Sequence, residues 1–329
     1  MLTKTEQPER AVFLTLKSFV QRSPTRMAVI IALLIYGFTV YMVPTALNVN
    51  ALGTLLMLTL LLSFASAGQT IVMIGGGIDL TVGAVMSSSA VITTVIMDAQ
   101  DGRVLQVFAV VMALGATVGF INGICTNRIG LPPLIVTLAI GNVVTQMSYL
   151  YTGGTPWGWV GPAFVSTVTH RFFGFIPSLT LYALVIIPLV FYILYRSRFG
   201  RQLFLVGTSN EAARLCGINV NKVKVISYII SGMFSAFTGM LAVAMWRSSR
   251  NQMFDAYAFN SLIAVVVGGT AFSGGIGSYS GTIAGAMLMT MLNNCLTALN
   301  ISGPVRNVVF GIVLALLLVM YNRKKPVRQ

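Results

Sequence analysis

The chain has 329 residues, of which 56% are hydrophobic and only 9% charged, with a mean hydropathy of +0.85. No soluble domain of this size buries so much apolar surface, so the composition describes an integral membrane protein. Continuous Leu/Val/Ile/Ala runs, rather than alternating apolar and polar residues, exclude a membrane β-barrel, and the net charge of +14 is explained by topology rather than nucleic-acid binding.

In chain order, the hydropathy pattern predicts an all-α polytopic protein of about ten transmembrane helices. They run over 27–46, 51–74, 80–97, 104–127, 132–152, 178–195, 225–246, 258–273, 279–299 and 304–321. Most approach the ~20 residues needed to cross the hydrocarbon, the third and eighth being short. With the N-terminus inside, sixteen of the 21 Lys and Arg residues fall on the cytoplasmic side. That asymmetry places both termini in the cytoplasm. The organisation expected is a cytoplasmic N-terminal segment 1–26, a transmembrane domain 27–321 with a cytoplasmic loop 196–224, and a cytoplasmic tail 322–329. The N-terminal segment has no cleavage pattern and carries a short apolar patch, Ala11 to Leu16, suited to a surface helix.

The segment GGGIDLTVGAVM at 75–86 bears Gly76, Gly77, Asp79 and Gly83. Asp79 is read as the lone acid at membrane depth. An N-cap of the third span, meeting its dipole, is one explanation and a solute or ion site the other. A related segment, SGGIGSYSGTIAGAM at 273–287, carries Gly274 and Gly275 and follows Gly268 and Gly269. A parallel internal repeat is one reading of this similarity and a short glycine-driven resemblance is the other. Gly115, Gly119 and Gly123 recur every fourth residue in the fourth span, a spacing that lets helices pack closely. The external loop 153–177 places Trp157, Trp159, Phe172 and Phe173 for an interfacial belt. Three cysteines without metal-ligand spacing, and a lone His170, offer neither a metal site nor a disulfide framework.

Neutral polar residues within spans are the candidates for a solute path: Gln69, Asn122, Asn142, Gln146, Asn260, Asn293 and Asn294, with Ser261 beside them. Each can also hold helices together by hydrogen bonding. A pore of amides and hydroxyls without charge suits a neutral polyol. There is no GxxxxGK[ST] motif, so the chain has no phosphate-binding loop, and no catalytic, cofactor or metal residues are assigned.

The loop between the sixth and seventh spans carries six Lys or Arg against the single acid Glu211. Its middle, Glu211 to Cys216, is free of Gly, Pro and β-branched residues and predicts a short helix, capped by Asn210 and ended by Gly217. Such a polar helix at the cytoplasmic surface is a handle for another protein.

These segments, together with GTSNEAARLCGINVNKVKVISYIISG at 207–232, VVVGGTAFSGGIGSYSGTIAGA at 265–286 and LNNCL at 292–296, occur in the order of a known family. The chain resembles the permease subunits of bacterial ATP-binding-cassette importers of the ribose, galactose and autoinducer-2 type. The resemblance implies a multi-pass protein of the bacterial inner membrane that moves a sugar or sugar-like molecule unmodified. It implies three partners: a cytoplasmic ATPase, which binds the ATP and Mg, a periplasmic or lipid-anchored substrate-binding protein, and a second permease, identical or a sister chain. It further implies that Asn210, Glu211, Ala212, Ala213, Arg214, Leu215 and Gly217 form the ATPase-coupling element. Glu211 and Arg214 would pair with the ATPase and Leu215 would fill an apolar pocket there. One departure is expected: where many relatives carry acids before the VVxGGT segment, this chain has Ala258, Phe259, Asn260, Ser261 and Leu262. The rival reading of the residues is a stand-alone secondary carrier or facilitator. Against it stands the lack of intramembrane acid–base pairs.

Overall fold

The computed structural model describes residues 24–322, so the patch Ala11 to Leu16 and the tail beyond Asn322 lie outside the described residues. Among these, thirteen α-helices follow one another: α1 Pro24–Met42, α2 Val49–Ile74, α3 Val82–Met97, α4 Val104–Asn127, α5 Pro133–Thr152, α6 Pro162–Thr169, α7 Leu179–Phe191, α8 Arg198–Thr208, α9 Asn210–Leu215, α10 Val220–Val243, α11 Tyr257–Val267, α12 Tyr279–Ala298 and α13 Gly303–Asn322. The described strands are β1 Arg171–Phe172 and β2 Ile176–Pro177, an antiparallel pair in the loop between α6 and α7. Six helices are long and apolar enough to cross a membrane: α1, α2, α4, α5, α7 with the turn after it, and α10.

The helical form follows from the solvent, because hydrocarbon supplies no partner for a free peptide group. Side-chain hydroxyls meet the same constraint by bonding back one turn. Thr93 Oγ1 donates to Ser89 O at 2.6 Å and Thr290 Oγ1 to Ala286 O at 2.8 Å. Helices α2, α3 and α10 form the centre; every residue of α2 from Leu60 to Ile74 is buried. Outer helices instead expose aliphatic side chains, such as Leu105 at 78% and Leu184 at 68%.

The glycine stripe of α4 lies against α10. A Cβ added at Gly119 would stand 2.2 Å from Tyr228 O, and one at Gly115 would stand 2.3 Å from Gly232 O. Backbone therefore meets backbone along this seam, which only side chains of hydrogen allow. The outer loop is tied down rather than free. The Arg171 guanidinium donates to Asn50 O and Oδ1 at 3.0 and 2.8 Å and to Thr54 Oγ1 at 2.9 Å. Asp101 accepts from the first amides of α6, Ala163 N and Phe164 N. Trp157, Trp159, Phe172 and Phe173 are all at least 40% exposed.

The largest departure from the expected spans is the eighth. In place of a helix over 258–273, α11 has 11 residues and is therefore about 16 Å long. Gly268 and Gly269 end it, and the polar run Ser248 to Gln252 precedes it in non-helical form. That run folds back along α3: Ser249 Oγ lies 2.7 Å from Thr94 Oγ1. Further on, Ser87 Oγ accepts from Phe254 N at 2.9 Å and donates to Asp255 Oδ1 at 3.0 Å. Seven residues of α3 separate Thr94 from Ser87, so Asp255 sits about 10 Å deeper than Ser249. Asp255 is thus a second acid set against α3, level with Ser87, beside the Asp79 that the sequence singles out.

Gly119→Val should lower the folding stability by about 3 kcal/mol or more, because the seam cannot open without parting α4 from α10. Gly37→Ala, where nothing lies within 4 Å of the added methyl, should be neutral or slightly stabilising. Thermal unfolding of the two variants in lipid nanodiscs measures the difference.

Candidate functional site

Asp79 lies in the turn between α2 and α3, and its side chain is fully buried. Oδ1 accepts from Thr81 N at 2.9 Å and Thr81 Oγ1 at 2.5 Å, and Oδ2 accepts from Ser231 Oγ at 2.7 Å. Asn122 Nδ2 on α4 donates to Thr81 Oγ1 at 3.0 Å. The N-cap expectation for Asp79 needs correcting: Thr81 holds that position. Asp79 stands two residues earlier, and its carboxylate turns toward Ser231 on α10 instead of the first-turn amides. Ser231 can come so near because Gly68 of α2 has no Cβ; one placed there would lie 2.5 Å from Ser231 Cα. The group therefore joins α3, α4 and α10 and is closed to solute.

The expected path residues separate into three groups. Gln69 and Asn122 are fully buried, Gln69 with Oε1 and Nε2 unbonded among the described residues and Asn122 in the Asp79 cluster. Asn293 accepts from Arg306 Nη1 at 3.1 Å, joining α12 to α13 at the outer end, with Asn294 half-buried beside it. Ser261 is buried and bonds back to Ala258 O at 3.3 Å. Asn142 and Gln146 are exposed on α5, and Asn260 is half-buried on α11. Asn260 shares a cavity of about 410 Å³ with Asp255 and with Asn307 of α13, floored by Phe259, Ile263 and Phe310. Reasoning from sequence missed Asp255 and Asn307. The available signal was an acid placed directly before an apolar run.

The two glycine segments, expected on the cytoplasmic side, meet in the structure. A Cβ at Gly274 would lie 2.9 Å from Gly76 Cα, and Gly275 N donates to Ile74 O at 2.9 Å. Helix α8, which the loop sequence did not suggest, packs onto this junction through its last turn. A Cβ at Gly207 would come 1.9 Å from Ile74 O and 2.4 Å from Gly275 N. Gly268 likewise approaches Gly281, and Gly285 approaches Ala264, so α11 and α12 are in backbone contact.

The short helix of the loop is present as α9, with its cap moved by one residue. Ser209, not Asn210, is the N-cap; its backbone is extended and its Oγ accepts from Ala212 N at 3.2 Å. At the other end Gly217 has φ +75, a conformation that only glycine adopts readily, and bonds Arg214 O at 2.9 Å. Ile218 N bonds Ala213 O at 3.0 Å, which completes a Schellman closure. Ala213 faces inward and is fully buried, whereas Glu211 and Arg214 are exposed and Leu215 is 90% exposed.

Residues 51–318 match the family model described as branched-chain amino acid transport system / permease component. The chain belongs to this family of permeases. Its relatives include the ribose import permease protein RbsC of Bacillus subtilis (strain 168), 33% identical over 299 residues, covering 88% of this chain and 91% of the relative. RbsC of Escherichia coli (strain K12) is 29% identical over 288 residues, covering 86% and 88%. The galactose/methyl galactoside import permease protein MglC of the same strain is 27% identical over 318 residues, covering 90% and 94%. No solved structure matches the chain. The chain is therefore a permease subunit of an ATP-binding-cassette importer in the bacterial inner membrane, and not an enzyme; the ATPase is a separate subunit.

Replacing Asp79 by Ala should leave Thr81 N and two hydroxyls unpaired in a dry site, at about 1–3 kcal/mol for each group. Asp79→Asn keeps acceptor and shape and should lose much less. An unfolding midpoint for Asp79→Ala equal to that of the parent would show that the cluster does not hold the three helices.

Proposed function

We propose that this chain imports a sugar as one of two permease subunits, with ten spans and both termini in the cytoplasm. In this reading α9 is the coupling helix on which the ATPase docks. The observation that carries it is Leu215, 90% exposed on a helix closed at both ends and set between basic segments. A lone, large apolar side chain presented to water in this way suits insertion into a partner's groove. Glu211 and Arg214 flank it and supply polar contacts at the rim. Ala213 faces the protein, so movement of α9 is passed to the permease and not lost in a swinging loop.

Sugar as the solute is supported by the ribose and galactose names of the relatives and by the uncharged amides Asn142, Gln146 and Asn260. A substrate-binding protein would deliver the sugar to the outer face, where loop 153–177 is braced by Arg171 and Asp101. ATP and Mg would be bound by the partner alone. The pairing of the α2–α3 and α11–α12 turns at one junction favours a repeat origin for the two glycine segments.

Reconstituted with its ATPase and binding protein, the chain should take up D-ribose or D-galactose only with ATP. Uptake that continues without the ATPase would sink the importer reading in favour of a carrier. Leu215→Asp, or Glu211 and Arg214 both changed to Ala, should reduce stimulated ATP hydrolysis about tenfold or more, the equivalent of at least about 1.4 kcal/mol of docking energy. Membrane insertion and thermal stability should remain unchanged in these variants.

A further inference from the structure

The flank of α5 that carries Asn142 and Gln146 can be located from its contacts. Ser148 Oγ donates to Asn251 Oδ1 at 3.0 Å, and Tyr149 OH donates to Gln252 Oε1 at 3.4 Å. Asn142 lies two turns before Tyr149 and so in line with it, at the edge of α5 beside the non-helical segment 247–256, with Gln146 about 60° further round on the exposed side. Val143 and Met147 border a hollow against α3 and α4 that Ser148 also lines. The same segment leads on to the cavity of Asp255, Asn260 and Asn307. One face of the protein thus presents an exposed polar strip at membrane depth, running from α5 across 247–256 to α11 and α13.

Lipid is a poor cover for such a strip. An amide without a partner in hydrocarbon is unfavourable by about 2–7 kcal/mol, and a carboxylate by about 3 kcal/mol or more. The contrast with Asp79 is instructive, since that carboxylate accepts three hydrogen bonds. Asp255 accepts one, from Ser87 to Oδ1, which leaves Oδ2 unbonded among the described residues and the group lining open space. The backbone is non-helical at this point, a form tolerated at membrane depth where it borders a water-filled cavity.

We infer that this strip is the wall of the solute path, closed on its far side by the second permease, and that Asp255 is a specificity-determining residue whose carboxylate accepts hydroxyl groups of a neutral polyol. The inference rests on the importer reading and adds the residue that reads the solute. Gly83 belongs to the same construction: a Cβ there would fall 2.5 Å from Asp255 O, so glycine lets the acid-bearing segment lie flat on α3.

The test needs no knowledge of the solute. In the intact complex, with Cys125, Cys216 and Cys295 replaced, single cysteines are placed at 260, 307 and 142 and at the lipid-facing control Leu184. Charged, membrane-impermeant thiosulfonates should react at least about tenfold faster at the first three, since partition of an ion into lipid is so unfavourable. In the Asn260→Cys variant the cationic reagent should outpace the anionic one, and Asp255→Asn should remove that preference. Rates equal to those at 184 would overturn the path, because the strip would then lie against lipid or packed protein. A preference unchanged by Asp255→Asn would overturn the role of Asp255. With D-ribose and D-galactose as probes, Asp255→Asn should lower uptake about tenfold, the order expected when a hydrogen-bonded hydroxyl loses its charged acceptor, and Asp255→Glu should recover part of it. Undiminished uptake by Asp255→Asn would also count against the role. Fast labelling together with uptake that ignores ATP would support the wet path and defeat the importer reading alone.

Discussion

Helices in a bilayer gain little from hiding apolar surface from one another, because lipid is as apolar as they are. What remains is close contact, and here it is contact of backbone with backbone. The seam between α4 and α10 rests on Gly115, Gly119 and Gly232, where any added carbon would fall within 2.3 Å of a neighbouring carbonyl oxygen. Position on this seam decides what the rest of α10 can reach. Tyr228 comes to the carbonyl of Ile78, Ser231 comes to Asp79, and Gly239 comes to the backbone of Met86. The turn between α2 and α3, and the whole course of α3, are thereby set by residues with no side chain.

Asp79 and Asp255 show how differently two carboxylates beside one helix can be satisfied. Both lie just before a helix start, and a sequence string treats them alike. Asp79 is enclosed and its oxygens are used by hydroxyls and an amide on the protein. Asp255 keeps one oxygen free and faces a cavity. A buried carboxylate that is fully paired stabilises one conformation, whereas one that is left with acceptor capacity at a wet surface is suited to meeting a changing partner. The same distinction sorts the amides: Asn122 belongs to the frame, and Asn260 to open space.

Most spans were legible because a run of about twenty apolar residues permits little else in a membrane. Helix α9 was legible too, since EAARLC between polar residues and a glycine has few alternatives, although Ser209 rather than Asn210 took the cap. What the string concealed was depth and facing. The run SSRNQ reads as an outer loop, and the course of this segment back along α3 depends on Ser249 meeting the Thr94 hydroxyl and Asp255 accepting from Ser87, partners distant in sequence by 155 and 168 residues. That return is why Asp255 was overlooked; the eighth span was drawn too long because Gly268 and Gly269 end α11 inside a run that reads as apolar. Gln69 was grouped with Asn142 on residue type alone, yet one is at the centre of the bundle and the other at its edge, a difference that only helix packing determines. Helix α8 escaped notice because Gly200 and Gly207 read as breakers, whereas both are sites of close approach, to the carbonyls of Leu194 and Ile74.

The contacts also give a physical route from α9 to the cavity of Asp255. Helix α9 is closed against α8 through Ser209, and the last turn of α8 sits on the Ile74 carbonyl and on Gly275. Gly275 belongs to the turn that follows α11, so α11 has one end at this junction and Asp255 just beyond the other. A span of full length would be gripped by lipid and neighbours along ~30 Å; one of 11 residues is about half that and hydrogen-bonded internally throughout, so it transmits displacement as a short strut. In the proposed coupling, a push at α9 would have only this short length to cross before it reached Asp255. At the far end of the strut stands the polar, non-helical segment 247–256, held to α3 through Thr94 and Ser87.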